Sequence, residues 1–187
     1  MNERRLRIDL YAFALGALAL LSLVFLSARN GAALIMCGLV FAGLVIARLA
    51  DFSSRALVPV ALGLVVILWM VWLDPPASSH KTSALAHFAG GALVGWAVSE
   101  YLRTRIAWPL WGAAALVAVA GVTVCWELGE LVGDRVLDTA LIPSARDSAE
   151  DIFFGTLGGG GAVLIAWLLA PARAGAASPR PSTRSGR

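Results

Sequence analysis

Apolar residues in this chain come in long, nearly unbroken runs, not in the alternation of a strand or the narrow stripe of a surface helix. The runs cover about residues 8–26, 32–50, 56–73, 83–101, 108–131 and 147–170. An apolar run of roughly 18 residues or more is long enough to cross a bilayer, and it must do so as a helix, since hydrocarbon offers no partner to an unpaired backbone N–H or C=O. The pattern therefore predicts an all-α, six-span transmembrane bundle.

The breaks between runs agree with this reading. Asn30-Gly31 is a turn dipeptide, and 51–55 is polar. Pro75-Pro76 cannot continue a helix, so 74–81 is expected to be a loop. Trp108-Pro109-Leu110-Trp111 opens the fifth span with a proline near its first turn and two tryptophans suited to the membrane interface. A loop over 132–146 leads to the sixth span. The charged start and apolar run at the N-terminus resemble a signal peptide. The run is longer than a typical one and Leu26-Ser27-Ala28 is a poor cleavage site, so it is expected to stay as the first span. Residues 1–170 thus form the transmembrane domain, and 171–187, rich in Pro, Ala, Ser, Gly and Arg, is expected to be a disordered basic tail.

Composition supports the class. The 187 residues are 59% hydrophobic and only 14% charged, with a mean hydropathy of +0.78, against about 25% charged in soluble domains. The net charge of +3 does not mark a nucleic-acid binder, because the basic residues lie in the short segments between runs. Arg4, Arg5, Arg7, Arg48, Arg55, Arg103, Arg105, Arg173, Arg180, Arg184 and Arg187 fall on one side, eleven of fifteen; Arg29, Lys81, Arg135 and Arg146 fall on the other. By the positive-inside rule both termini are cytoplasmic. No internal repeat suggests an inverted-repeat transporter. Cys37 and Cys125 lie in apolar runs without metal-type spacing.

The chemistry is concentrated late in the chain. Glu127 and Glu130 are three apart and Asp147 and Asp151 four apart, so each pair shares a helix face, and His87 lies in the fourth run. The predicted topology brings all of them to the outer ends of spans four, five and six. Carboxylates in an apolar segment are costly unless they face protein, water or a ligand. Small residues continue the same faces: Gly91 and Gly95; Ala120 and Thr123; Gly155, Gly158, Gly159 and Ala162. Such stripes let membrane helices approach closely, so spans four to six are expected to touch around an outward-opening pocket.

In that pocket His87, Glu127 and Asp151 are the candidate catalytic residues. Glu130, Arg146 and Asp147 are the candidate substrate-binding ones, Arg146 being suited to phosphate. His87, Glu127, Glu130 and Asp151 are also the donors for a candidate divalent metal. Plainer readings exist for each. His87 can be a packed histidine bonded to a carbonyl, Asp147 and Glu150 can be helix-start acids favoured by the macrodipole, and Arg146 can simply neutralise its neighbours. The glycines at 158–161 follow no strand and lack a P-loop lysine, so they read as packing. Glu100, at the inner end, is expected to pair with Arg103 or solvent.

His87-Phe88, Glu127-x-x-Glu130, Pro143-x-x-Arg146 and Asp151-x-x-x-Gly155-Thr156-Leu157-Gly158-Gly159 resemble the motifs of the VanZ-like family of small bacterial membrane proteins. The likeness covers about residues 80–170. Glu130 stands where that family usually has glutamine and Gly155 where it has asparagine. Glu127-x-x-Glu130 with Asp147-Ser148-x-x-Asp151 is closer to the related YjdF-like proteins. The resemblance implies a protein of the bacterial cytoplasmic (inner) membrane. Three functions compete: a site that binds or acts on a lipid headgroup or lipid-linked envelope component; a proton-coupled transporter using Glu127, Asp151 and His87; and a structural or partner subunit without catalysis. Membrane lipid is the expected partner and nucleic acid is not.

Overall fold

The computed structural model describes residues 3–27, 29, 31–73, 80–108, 110–139, 142 and 144–170, with side chains outside 3–10, 32, 64–73 and 80–82. Among these residues the secondary structure is entirely helical: α1 (Glu3–Ser27), α2 (Gly31–Leu49), α3 (Ser54–Leu73), α4 (His80–Leu102), α5 (Leu110–Leu137) and α6 (Ala145–Leu169). The expected turn residue Asn30, the loop residues 74–79, Pro109, Pro143 and the tail 171–187 lie outside the described residues.

Every helix except α2 is longer than its apolar run, and α5 continues to Leu137 where the run predicts an end near Leu131. Hydropathy marks where side chains stop being apolar, and the helix ends where its backbone is capped. Asp138 takes a left-handed φ of 50°, and the Thr139 N–H reaches back to the Asp134 carbonyl at 3.3 Å, a Schellman-type closure. Asp51 ends α2 in the same way, with a φ of 56° and the Phe52 N–H on the Ala47 carbonyl at 3.0 Å. The α5–α6 connection is drawn together by Asp134, whose carboxylate accepts from the Thr139 hydroxyl and from the Ile142 N–H. Ser144 then caps α6, its hydroxyl accepting from the Asp147 N–H at 3.2 Å.

The most extensive helix contact is α4 on α6, with α5 against both; α3 flanks α4, α1 packs on α2 and α3, and α2 reaches α5. The α4–α6 contact is made by backbone. A Cβ at Gly91 would strike the Gly155 carbonyl, one at Gly158 the Phe88 carbonyl, and one at Gly95 the Gly159 carbonyl. One apolar cluster, Ala14, Leu18, Phe25, Ala33, Cys37 and Leu44, lies between α1 and α2. A second, Trp111, Ala115, Val119, Val163 and Ala166, joins α5 to α6. Trp108 stacks on Trp167 with centroids 4.4 Å apart.

Many bulky apolar side chains outside these clusters point outward: Leu20, Leu23, Val117, Val136, Leu168 and Leu169 are all exposed. Among the described residues, two helices, α5 and α6, are long and apolar enough to cross a membrane.

Candidate functional site

His87, Glu127 and Asp151 meet between α4, α5 and α6. The His87 Nδ1 lies 3.0 Å from Asp151 Oδ1, and Nε2 lies 3.4 Å from Glu127 Oε1. Three segments separated by tens of residues converge because the glycines beneath them remove the side chains that would hold the helices apart. The His87 carbonyl itself lies 3.6 Å from where a Cβ on Gly155 would sit, and a Gly155 Cβ would also press the Thr123 methyl. Thr123 and Thr156 share a hydroxyl–hydroxyl bond of 3.2 Å just inside the site, linking α5 to α6.

Asp151 is fully engaged. The Ser83 hydroxyl, one turn before His87 on α4, sits 3.1 Å from both of its oxygens. The Ser83 carbonyl lies 3.1 Å from His87 Nδ1. Glu127 differs. It is buried, at 6% exposure, and neither carboxylate oxygen has a hydrogen-bond partner of good geometry among the described residues. Its polar neighbours are the His87 ring and the Ser148 hydroxyl. The way in passes the imidazole, whose side chain is 19% exposed against 7% and 8% for the two carboxylates.

The other predicted site residues are placed differently. Glu130 is buried one turn further along α5, its Oε1 accepting from the Trp126 indole N–H at 2.7 Å. Asp147 is half-buried one turn before Asp151, where its charge adds to the negative surroundings of Glu127. Arg146 does not join the buried group: it is exposed and donates to Glu150 across one helical turn at 2.8 Å. At the other end of α4, Arg103 pairs with buried Glu100 at 2.6 Å, one of the two partners expected for that acid.

Because α5 is longer than its apolar run, Glu127 is not at a helix end. It lies ten residues from Leu137, with His87 seven from His80 and Asp151 six from Ala145, so at a rise of 1.5 Å per residue the site is sunk about 9–15 Å below the helix ends. Sequence reasoning missed Ser83, Ser148 and the partner role of Trp126. Ser83 and Ser148 had a usable signal, each standing one turn from a residue already singled out, Ser83 before His87 and Ser148 three before Asp151. An apolar groove of about 520 Å³, lined by Leu18, Ser22, Leu34, Cys37 and Phe41, lies between α1 and α2, apart from the residues that form this site.

No protein-family model, curated protein or solved structure matches the chain. The likeness to VanZ-like and YjdF-like proteins therefore rests on the motif residues alone.

Proposed function

We propose that this is an integral membrane protein of six spans, with both termini on the cytoplasmic side of a bacterial cytoplasmic membrane. In this reading the site at His87, Glu127 and Asp151 binds the polar headgroup of a lipid or of a lipid-linked envelope component. The outward-facing bulk of apolar side chains, the two span-length helices and the eleven-to-four split of basic residues support the setting. The observation that carries the site is the burial of an imidazole between two carboxylates supplied by three different helices. Packing alone gives no return for that arrangement, because interhelical polar contacts in membranes average about 0.6 kcal/mol while buried carboxylates are costly. An imidazole flanked by carboxylates can bind a polar group and exchange a proton with it.

Native mass spectrometry of protein released gently from membranes tests the reading. A polar-lipid adduct is expected on the natural protein and should be lost in Glu127→Gln and Asp151→Asn. An adduct-free natural protein, or variants that keep the adduct, would reject it.

A further inference from the structure

Two groups that can only accept, the Ser83 carbonyl and the Asp151 carboxylate, lie 3.1 and 3.0 Å from His87 Nδ1. In the neutral imidazole Nδ1 therefore carries the proton, and Nε2 presents its lone pair. That lone pair faces Glu127 Oε1 at 3.4 Å. Two acceptors confront each other in a buried place, and the Ser148 hydroxyl is the one donor beside the carboxylate among the described residues, without good hydrogen-bond geometry. Such a pair is stable only with positive charge between its members.

A proton and a metal ion are the two candidates, and distance separates them. A charge-assisted N–H···O bond draws its atoms to about 2.7–2.9 Å. Two donors on one tetrahedral zinc, with bonds of about 2.0–2.1 Å, stand roughly 3.3–3.4 Å apart. The separation at Nε2 and Oε1, 3.4 Å, is wider than the first and leaves room for the second. We propose that His87 Nε2 and Glu127 are direct ligands of a divalent transition-metal ion, tested here as zinc or manganese, and that Asp151 is a positioning residue that fixes the ring from its far nitrogen. One donor atom from each of the three residues lies within 4.8 Å of the others. A carboxylate behind a ligating histidine sets its tautomer and raises its basicity. The mixed nitrogen and oxygen donors suit borderline and moderately hard ions.

This deepens the headgroup reading, because a metal held by so few protein ligands keeps coordination positions open on the side where the imidazole is exposed. A phosphate or hydroxyl oxygen of a headgroup, or a water, would fill them. Glu130 is committed to Trp126 and Arg146 to Glu150, so neither is assigned to the ion.

The test uses the full chain in detergent, purified through a tag without histidine, exposed to Zn²⁺ or Mn²⁺, dialysed, and analysed for metal by inductively coupled plasma mass spectrometry. The natural protein should hold stoichiometric metal, and EDTA should lower its thermal midpoint. Glu127→Gln, which removes a buried charge without changing shape, should stay folded and lose the metal. Asp151→Asn should bind roughly 10–100-fold more weakly, the usual effect of losing a ligand's support. A natural protein that takes up neither ion, or a Glu127→Gln protein that keeps it, overturns the proposal. Metal-free protein that still carries its lipid adduct overturns the metal alone; metal-loaded protein without an adduct overturns the headgroup reading alone.

Discussion

Ser83 and Glu127 flank the same imidazole yet have opposite relations to stability. Ser83 donates to Asp151, so Ser83→Ala leaves that buried carboxylate with His87 Nδ1 alone and should lower stability by about 0.6, and at most about 1.7, kcal/mol, the span measured for interhelical hydrogen bonds in membranes. Glu127 is buried with no hydrogen-bond partner of good geometry among the described residues, so with EDTA present Glu127→Gln should leave stability equal or higher. Thermal unfolding of both variants in one detergent checks the contrast, and equal losses would contradict it. His87, Glu127 and Asp151 were legible in the sequence because an ionisable residue in an apolar run must be accounted for. Trp126 was not, since indoles are ordinary near span ends, and Ser83 carried only the weaker signal of standing one turn before His87. Arg146 was legible as a charge, but its direction depended on where α6 starts: with the helix beginning at Ala145, it lies in the first turn and pairs along the helix with Glu150.

Among the helices, Gly90 and Gly91 form an internal comparison. A Cβ at Gly90 meets nothing within 4 Å, whereas one at Gly91 would enter the Gly155 carbonyl. Gly90→Ala should be neutral or stabilising by up to about 1 kcal/mol from helix propensity. Gly91→Ala should destabilise by about 1–3 kcal/mol as the backbones are forced apart. If both variants unfold alike in a thermal scan, α4 and α6 are not in backbone contact. The glycine stripes foretold which helices touch. The extent of α5 was hidden, because hydropathy reports side chains while Asp138 and Asp134 end the helix and fasten the following segment through backbone bonds. The depth of the site was hidden with it.

For the whole molecule, the all-helical class followed from run length, but the packing order of α1 to α3 did not, since apolar faces that suit lipid also suit one another. Reporter fusions after Ala170 should read cytoplasmic, from the eleven-to-four split of basic residues, and an outward reading would invert the site. Truncation after Ala172 should leave the melting temperature in detergent nearly unchanged, because the removed segment has almost no apolar residues to pack. The backbone contact between α4 and α6 has a mechanical consequence as well. Helices seated carbonyl against glycine cannot slide or roll without collision, so the walls carrying His87 and Asp151 move as one frame. The wall carrying Glu127 meets that frame through the side chains of Thr123 and Val119. A disulfide tying α4 to α6 should therefore leave the rate of metal uptake unchanged, and a slower uptake would show that the two helices move independently.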